Sequence, residues 1–455
     1  MVKSKISFKR QVNTMLMTEK VLLDPTPEQR EWLWEMSRTA TRLYNLALEQ
    51  RRWYWLRYHH TRPGITYQYQ NAQLVELKEA FPEFKVLYSL VAQEVLRLAQ
   101  KDFNSFFGRL KNQKKNGNEI TARPPRFKSS KYFFTLCYVQ SGFAVKDGKL
   151  ILSGGMEPCP DKKGRVRYRQ RKEAIQIIGY RKLPDKVHSL TVTYDRKTGN
   201  FYANLVYEVE PLKADTVQPL KIAAFDPGVK TFLTGADNCG RIIIFDSLVK
   251  RATGYFDRQI DKVKSIRDKC KKGSRRWMYL NEVLDDLYRR RSAQIDNELH
   301  ATAKLLAGGE WDIVGVGNPD KQGMVSDDPD KGRGNQTINR AVQNNWPLKK
   351  QNKFLDYKLE YQGKLFLPLD EKYSTQECSN CGHRMKLDPS VRVYRCPKCG
   401  MVMGRDENSS INLLNRVIAG TAQRRVNYKD FRVRIIFHRT LCGKWTHREE
   451  LLKPA

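Results

Sequence analysis

Two pairs of cysteines near the C-terminal end of the chain have the spacing of a metal site. Each pair reads Cys-x-x-Cys and is followed by glycine, fourteen residues separate the pairs, and their members are Cys378, Cys381, Cys396 and Cys399. Four thiolates fill the tetrahedral coordination shell of Zn²⁺ and leave no open position for a catalytic water. We therefore predict one structural Zn²⁺ in a zinc ribbon, rather than disulfide-bonded or merely buried cysteines.

Two aspartates stand where a nuclease needs metal-binding carboxylates. Asp226 ends a buried-type strand, Lys221–Phe225, and Asp406 comes two residues before Asn408, where an apolar helical pattern begins. A lone aspartate after a strand is usually a turn residue. Cleavage of a phosphodiester by two Mg²⁺ ions needs several carboxylates that converge on metals about 4 Å apart. The two aspartates together therefore predict a two-metal nuclease site.

The net charge of the chain indicates a polyanionic partner. The 455 residues include 83 Lys and Arg against 49 Asp and Glu, which gives a formal net charge of +34. Because this excess cannot be neutralised within the chain, nucleic acid is the expected partner. Aromatic and basic residues are interleaved over Arg51–Tyr58. This segment is typical of base stacking and equally of an amphipathic helix with a solvated basic face, and the sequence leaves both interpretations open.

The other cysteines and the apolar pattern bear on the cellular compartment. Outside the ribbon the cysteines are scattered without a disulfide framework, at Cys137, Cys159, Cys239, Cys270 and Cys442. This usage fits a reducing compartment. No apolar run approaches the length of a membrane span, and Met1–Lys5 lacks the apolar core of a signal peptide. We expect a soluble intracellular protein with no membrane partner.

Hydrophobic periodicity predicts the elements that position these residues. A strand over Val12–Leu23 precedes two long helices, one opened by a capping box at Thr26–Gln29 and one over Ser89–Leu110. Strand patterns after Pro124 predict a β-barrel that includes the first strand. From Leu220 onward, three strands, a helix, a strand, a helix, a strand and a final helix have the order of a ribonuclease-H-like fold.

Four segments of the chain resemble the motifs of one family, and they are Pro125–Lys128, Ala224–Gly235, Tyr373–Gly382 and Gly404–Asn412. In this order they resemble the barrel motif, the first RuvC motif, the tyrosine-led start of the zinc ribbon and the third RuvC motif of the TnpB-like RNA-guided nucleases, which transposons encode. The resemblance spans nearly the whole chain. It implies a multidomain α/β fold with a ribonuclease-H-like RuvC domain, an inserted zinc ribbon, a wedge β-barrel and a helical recognition lobe.

The resemblance and the element pattern together imply seven segments. They are the first barrel strand at 1–25, the recognition lobe at 26–123, the wedge barrel at 124–216, the first part of the RuvC domain at 217–372, the zinc ribbon at 373–403, the last RuvC helix at 404–420 and a basic C-terminal tail at 421–455.

The resemblance also implies the partners and the metals. They are a guide (omega) RNA bound by one protein chain, a double-stranded DNA target beside a short target-adjacent motif, two catalytic Mg²⁺ ions and one structural Zn²⁺. The basic residues that we expect to contact nucleic acid are Arg51, Arg52, Lys111, Lys114, Lys115, Arg126 and Lys128.

The second RuvC motif departs from the family pattern. The family usually has a glutamate at the end of the fourth strand, a few residues before a Gly-Met pair, and counting back from Gly323–Met324 puts Gly317 there. We predict that a relocated glutamate replaces it, with Glu371 as the candidate, Glu360 as the runner-up and Asp320 third. A relocated glutamate resembles the eukaryotic Fanzor nucleases and some of their bacterial relatives. This implies a nuclear protein if the host is eukaryotic, and otherwise a bacterial cytoplasmic one.

Three functions compete on these observations. The leading hypothesis is an RNA-guided DNA endonuclease in which Asp226, Glu371 and Asp406 hold the catalytic Mg²⁺ ions. The rival is an RNA-guided DNA-binding protein that has lost cleavage, which Gly317 favours and the three acids oppose. A plain transposase or zinc-ribbon transcription factor is the third hypothesis, and it is disfavoured because no helix-turn-helix or transposase signature is apparent.

Overall fold

The computed structural model describes residues 14–59, 61, 64–117, 119–160, 166–180, 182–184, 186–212, 219–228, 231–246, 249–319, 347–388, 391–440 and 442–452. The contacts divide the chain into two compact units, which are Thr14–Val209 and a second unit that includes Glu210–Ala455. The helices and strands are numbered in chain order over the described residues.

The first unit begins with one strand and four helices. They are β1 (Met15–Asp24), α1 (Pro27–Tyr58), α2 (Tyr67–Ala72), α3 (Leu74–Ala80) and α4 (Ser89–Lys115). The predicted capping box is confirmed at the start of α1, where the Thr26 hydroxyl accepts a hydrogen bond from the Gln29 amide and the Gln29 side chain accepts one from the Thr26 amide. Such reciprocal bonds satisfy two backbone donors that a helix N-terminus otherwise leaves unpaired.

Six strands complete this unit. They are β2 (Leu136–Val139), β3 (Phe143–Lys146), β4 (Lys149–Pro160), β5 (Val166–Ile178), β6 (Val187–Asp195) and β7 (Asn200–Val209). All seven strands form one antiparallel sheet in the order β2-β6-β7-β1-β5-β4-β3. The sequence predicts that the strand before the helices joins the sheet formed by the strands after the helices. This prediction is confirmed, because β1 lies between β7 and β5. Closure of this sheet into a barrel stays a prediction.

The second unit contains nine strands and four helices among the described residues. They are β8 (Ile222–Pro227), β9 (Leu233–Asp237), β10 (Arg241–Asp246), α5 (Val249–Asp268), α6 (Arg275–Gly308), β11 (Ile313–Gly317), α7 (Leu348–Tyr361), β12 (Leu365–Leu369), β13 (Val393–Arg395), β14 (Val402–Gly404), α8 (Arg405–Ile418), β15 (Val433–Arg439) and β16 (Trp445–Leu451).

The helical region that the sequence predicts over 253–306 is two helices in the structure. The chain breaks between α5 and α6 at Gly273, whose φ of 84° is a left-handed conformation that glycine adopts without a steric penalty. Ser274 then caps α6, because its hydroxyl accepts a hydrogen bond from the Trp277 amide at 3.2 Å. The turn at Gly273 therefore separates the two helices, and the Ser274 cap starts the second one.

The main sheet of the second unit has the order β12-β11-β8-β9-β10-β15-β16. The strands β8, β11 and β12 are parallel, whereas β8, β9 and β10 form an antiparallel meander. Up to α8, this unit has the element order that the sequence predicts, with α5 and α6 before β11, α7 before β12 and α8 after the cysteine segment; β15 and β16 follow α8.

The assignment of 421–455 as a basic tail is wrong. The strand β15 pairs in parallel with β10, and β16 pairs with β15 in antiparallel orientation, so both extend the main sheet. The Phe437 ring stacks on Phe245 of β10 with centroids 5.1 Å apart. Burial of this apolar contact holds the segment on the sheet, although most of the side chains of β16 are polar and exposed.

Alternation along β8 divides its side chains between two layers of helices. Ala223 and Phe225 pack in one core with side chains of α6 and α7. Ile222 and Ala224 pack in the other core with side chains of α8. Because successive side chains of a strand point to opposite faces, the even-numbered positions of β8 all face α8. None of the described helices is both long and apolar enough to span a membrane.

Candidate active site and zinc site

Asp226 lies at the carboxyl end of β8 on the face toward α8. It continues the alternation of Ile222 and Ala224, and only 8% of its surface is exposed. The parallel strands β11 and β12 end beside it, because Val316 pairs with Phe225 and Gly317 pairs with Leu369. The carboxyl ends of parallel strands form the edge at which α/β sheets usually bind ligands.

Gly317 leaves a space on the same face, and Glu371 occupies it. A Cβ atom added to Gly317 would lie 2.6 Å from the carboxyl carbon and 2.7 Å from the Cγ of Glu371. Such distances are far below van der Waals contact. The Glu371 side chain therefore lies where a side chain on the last residue of β11 would begin.

The strand β12 aims Glu371 at this space. Leu365, Leu367 and Leu369 pack in the core beneath α8, and the same alternation carries on to Glu371 two residues beyond the strand. The Oε1 atom of Glu371 is buried and has no hydrogen-bond partner among the described residues. A buried carboxylate oxygen without a partner is costly unless it binds a cation.

Asp406 lies in the first turn of α8. The sequence predicts that this helix begins at Asn408, whereas it begins at Arg405, with Gly404 as the N-cap. Acidic side chains are favoured in a first turn because they interact with the unpaired backbone amides of the helix N-terminus. The Asp406 carboxylate lies 3.1 Å from the Arg405 guanidinium and 4.0 Å from that of Arg392.

Asp226 interacts electrostatically with each of the other two acids. Burial and the negative charge of Asp406 raise the pKa of Asp226 to about 8. Ser409 and the positive charge of Arg405 lower this pKa and so offset part of the rise. Burial and the charge of Asp226 raise the pKa of Glu371 to about 8. Carboxylates that repel one another in a buried site release that repulsion by binding protons or cations.

The donor set of this site suits Mg²⁺. Asp226, Glu371 and Asp406 offer carboxylate oxygens, which are the ligands that this hard cation prefers. The partnerless Oε1 of Glu371 supports the same fit. Carboxylates at the end of β8, just beyond β12 and at the start of α8 could hold metal ions and, with them, a phosphate group.

The two other candidates for the relocated acid lie elsewhere. Glu360 is in the last turn of α7, which precedes β12, so it lies at the edge where β12 begins rather than where it ends. Asp320 lies outside the described residues. Glu371 is therefore the predicted candidate that the structure brings to Asp226.

The four cysteines of the predicted zinc ribbon come together. Their Sγ atoms all lie within 4.8 Å of one another, and the pairs Cys378–Cys399 and Cys381–Cys396 are each 3.6 Å apart. A tetrahedral Zn²⁺ with Zn–S bonds of about 2.3 Å requires S···S separations of about 3.8 Å. The cluster could therefore hold one structural Zn²⁺.

Glycines close the two turns that carry these cysteines. The amide of Gly382 donates to the Cys378 carbonyl at 2.9 Å, and the amide of Gly400 donates to the Cys396 carbonyl at 3.0 Å. Both glycines have a φ of 72°, which other residues adopt only with strain. These turns bring the second cysteine of each pair back toward the metal position.

The cysteine segment is tied to α8. The Asn408 side chain donates to the Glu377 carbonyl at 2.8 Å and accepts from the Ser379 amide at 2.9 Å. Asn412, one turn further along α8, also donates to the Glu377 carbonyl at 2.7 Å. The segment that holds the cysteines therefore also orients the helix that carries Asp406.

Arg51 is not available to nucleic acid, and the prediction that it contacts a phosphate is wrong. Only 6% of its surface is exposed, and its guanidinium donates to the Gln70 side chain and the Ile65 carbonyl, both at 2.8 Å. Burial lowers the pKa of Arg51 to about 10. Its hydrogen bonds hold the start of α2 against α1.

Arg52 and Lys128 also make internal contacts. Arg52 donates to the Pro125 carbonyl, and its guanidinium lies 4.5 Å from the centroid of the Phe127 ring. The Lys128 ammonium lies 4.1 Å from the centroid of the Tyr44 ring. These cation–π contacts tie the predicted barrel motif to α1.

The remaining predicted nucleic-acid contacts are on the surface, and they are Lys111, Lys114, Lys115 and Arg126. The last turns of α1 also expose two large rings, with Trp53 52% and Trp55 43% exposed. The Arg57 guanidinium lies 5.4 Å from the centroid of the Trp53 ring. This end of α1 thus presents flat rings beside a cation, and the sequence interpretation as a base-stacking segment stays open for it.

Comparisons with known proteins agree with this architecture. A family model described as Cas12f1-like, TNB domain, matches residues 349–413, which include β12, the cysteines and most of α7 and α8. The chain is 26% identical over 232 residues to the TnpB-like protein L79 of Acanthamoeba polyphaga mimivirus, which covers 50% of this chain and 42% of that protein.

Two further comparisons concern a bacterial relative and a solved structure. The chain is 27% identical over 190 residues to a Mycobacterium tuberculosis protein named "Putative RNA-guided DNA endonuclease MT2953", which covers 41% of this chain and 40% of that protein. The chain thus spans less than half the length of these curated relatives. A solved complex of Cas12f1 with single guide RNA and target DNA has a similar fold, with a TM-score of 0.61 at 14% identity over 89% of this chain and 99% of that one.

The family model and the relatives therefore confirm the resemblance of this chain to TnpB-like proteins, and the solved structure shows a similar fold.

Proposed function

We propose that this protein is an RNA-guided DNA endonuclease that cleaves double-stranded DNA with two Mg²⁺ ions. The observation that carries the proposal is the meeting of Asp226, Glu371 and Asp406, in which Glu371 occupies the space beside Gly317. A chain that had lost cleavage would have no need to keep Asp226 buried beside two other acids, Asp406 and Glu371, because the repulsion costs stability.

In this proposal the three acids share one task. Two Mg²⁺ ions bound by them would activate the attacking water and neutralise the charge that develops on the phosphate. Asp226 and Glu371 hold their oxygens on the sheet side of the site, and Asp406 holds its oxygens on the α8 side. Arg405 adjoins Asp406 and moderates the excess negative charge.

A guide RNA accounts for the charge of the chain. A net charge of +34 needs many phosphates, and a long RNA offers one per nucleotide. One relative is named as a putative RNA-guided DNA endonuclease, and one protein of similar fold was solved with guide RNA and target DNA, which supports the same partners. Sequence would then be read by base pairing, and the protein would read only a short target-adjacent motif. One chain would bind one RNA.

The proposal extends to the contact surface and the zinc. The exposed Lys111, Lys114, Lys115 and Arg126 would bind phosphates. The side chains of Arg52 and Lys128 lie over aromatic rings of the first unit. We therefore assign them a structural role in supporting the contact surface rather than a role in binding phosphate. The Zn²⁺ would be structural, because four cysteines complete its coordination.

The position of Glu371 bears on two further points, which are the branch of the TnpB-like nucleases that this chain resembles and the cellular compartment in which it acts. The pairing of Gly317 with Glu371 supports the rearranged-glutamate branch to which the Fanzor nucleases belong. We propose accordingly that the protein acts in the nucleus if its host is eukaryotic, which this branch favours, and otherwise in the bacterial cytoplasm. Expression of a fluorescent fusion in eukaryotic cells tests this, because accumulation outside the nucleus contradicts it.

The activity itself is tested with protein purified together with its RNA. A plasmid that matches the guide segment, with a randomised flanking region, should be cut in the presence of Mg²⁺ and left intact by Asp226→Ala protein. Changing the guide segment should redirect cleavage. Guide-dependent binding without cutting would instead support the DNA-binding alternative. Equal cutting by RNA-free protein would contradict RNA guidance.

A further inference from the structure

One face of α8 carries four polar residues at helical spacing. Asp406, Ser409, Asn412 and Arg416 are separated by three, three and four residues, so that they lie in one row along the helix. Asp406 is a proposed metal ligand, and Ser409 lies beside Asp226, where it lowers the pKa of that carboxyl. The other half of the row contacts the segment that carries Glu371.

Arg416 holds the backbone on both sides of Glu371. One terminal nitrogen of its guanidinium donates to the carbonyl of Asp370, and the other donates to the carbonyl of Lys372 at 2.8 Å. A planar guanidinium presents its donors in a fixed fork, so that two such bonds fix the spacing and the direction of the two carbonyls. The peptide units that flank Glu371 are therefore fixed by one side chain.

The rest of the row fixes the next turn of the same segment. Asn412 donates to the Ser374 carbonyl at 2.9 Å, and the hydroxyls of Ser409 and Ser374 lie 2.9 Å apart. The Ser374 amide in turn donates to the Glu371 carbonyl at 2.9 Å. Tyr373 has a φ of 65°, which is strained for an aromatic residue and persists only where the surroundings over-determine it.

The sheet does not supply this support to Glu371. The last pair of the β11–β12 ladder is Gly317 with Leu369, followed by the Asn318 amide that donates to the Leu369 carbonyl at 2.8 Å. Glu371 lies two residues beyond that point. A carboxylate on β11 itself would be fixed by the ladder, whereas one on the following segment needs another element to fix its backbone.

We propose that Arg416 is the positioning residue for Glu371, and that this guanidinium clamp is what allows the acid to lie outside the strand. The proposal rests on the proposed function of Glu371 as a metal ligand. Arg416 forms no ion pair with the Glu371 carboxylate, although its positive charge lowers the pKa of that carboxyl. It positions the acid through the two carbonyls, which set where the side chain of Glu371 begins, and Arg416→Lys keeps the charge while it loses the fork.

Hydrogen exchange tests the clamp without any cleavage. In Arg416→Met protein we expect the amides of residues 371–376 to exchange about tenfold faster, because the Ser374 amide bond to Glu371 loses its support. Arg416→Lys, which offers one donor position instead of a fork, should recover part of the protection. Arg424→Met is the matched control, because Arg424 is exposed and its ion pair with Asp430 lies away from this segment.

Two exchange results would overturn the proposal. One is unchanged exchange over residues 371–376 in Arg416→Met protein. The other is faster exchange that spreads equally to the cysteine segment 378–399, which would make Arg416 a general stabilising residue. Neither result depends on whether the protein cuts DNA, so failure of the clamp is distinguishable from failure of the proposed function.

Magnesium dependence then tests the consequence for the site. Residues that orient metal ligands typically change metal affinity by about 10- to 100-fold. We expect Arg416→Met to raise the Mg²⁺ concentration for half-maximal cleavage by about tenfold, with most of the rate restored at saturating Mg²⁺. Arg416→Lys should fall between this variant and the wild type. A loss of maximal rate at an unchanged half-saturating Mg²⁺ concentration would contradict the proposal.

Discussion

Asp226 and Glu371 are acids that the fold forces to repel each other, and the cost should be measurable in metal-free protein. The folded-state pKa of Asp226 is raised to about 8 by burial and by Asp406, whereas the carboxyl in an unfolded chain has a pKa of about 3.9. Between these values the folded state binds a proton that the unfolded state does not. The free energy of unfolding therefore falls as the pH rises toward 8, and it levels off above that.

This pH dependence gives the first prediction. Without Mg²⁺, Asp226→Asn should unfold at a temperature several degrees above that of the wild type at about pH 8.5 and close to it at about pH 6. Added Mg²⁺ should raise the unfolding temperature of the wild type more at the higher pH, because the cation replaces the lost proton. Calorimetry at both values measures this. Equal unfolding temperatures of the two proteins at the higher pH would contradict the coupling.

Gly317 gives the second prediction at this scale. Gly317→Ala adds a Cβ atom that would lie 2.6 Å from the carboxyl carbon of Glu371, so the acid must move. We expect cleavage to fall by about 100-fold, as for the misplacement of other catalytic groups, with target binding unchanged. Gly308→Ala is the matched control, because no atom lies within 4 Å of its added Cβ. Wild-type cleavage by Gly317→Ala protein would contradict the assignment of Glu371.

The residues of the site differ in how far sequence patterns could predict them. The alternation Leu365, Leu367, Leu369 continues to Glu371. The strand pattern alone therefore indicates that Glu371 lies on the same face of the sheet as these leucines. Arg51 lies four residues after Ala47, on the buried stripe of α1, and helical spacing could have excluded it from the surface. Arg416 has no such signal, because its partners are backbone carbonyls 44 and 46 residues away.

The helix α8 links the zinc site to the acids, and this gives a prediction at the scale of elements. Changing Cys378 and Cys396 together to Ser should remove about one Zn²⁺ per chain. Cleavage should be lost as well, because Asn408 and Asn412 tie the Glu377 carbonyl to α8 and so orient the helix start that carries Asp406. Elemental analysis and a cleavage assay measure the two effects.

A matched control separates zinc loss from the loss of thiols. Cys442→Ser removes an exposed cysteine that lies outside the cluster, and it should keep both zinc and cleavage. Zinc-free wild-type protein would contradict the structural site. Full cleavage by zinc-free protein with both cysteines replaced would contradict the coupling between the cysteine segment and α8.

Elements with strong periodicity were predictable, and their ends were less so. The start of α1 follows from a capping box, which is a local signal. The start of α8 depends on the hydrogen bonds of the preceding cysteine segment, which a local pattern does not contain. The strands β15 and β16 carry many charged residues, and only pairing with the distant β10 shows that they extend the sheet.

At the scale of the whole molecule, composition predicted the partner class and motif order predicted the relationship to TnpB-like proteins. The net charge of +34 is a property of the complete sequence and needs no structure. Which cations are free to bind phosphate does need it, because burial of Arg51 and the ring contacts of Arg52 and Lys128 depend on residues far away in the chain. A count of basic residues therefore overestimates the binding surface.

This distinction gives the last prediction, which concerns the salt dependence of RNA binding. Each phosphate contact that a protein loses lowers the slope of log affinity against log salt by about 0.7 to 0.9. Replacing Lys111, Lys114 and Lys115 together with Ala should therefore weaken RNA binding and lower this slope by about 2. All three side chains are exposed on the last turns of α4, so the unfolding temperature should change little.

Arg51→Met is the contrasting variant and should behave in the opposite way. It removes one positive charge but leaves the Gln70 side chain and the Ile65 carbonyl without their donor, so it should lower the unfolding temperature and keep the salt slope. Binding of the RNA to RNA-stripped protein over a series of salt concentrations measures both variants. If Arg51→Met lowers the slope as much as the triple lysine variant does, net charge rather than exposed charge governs RNA binding.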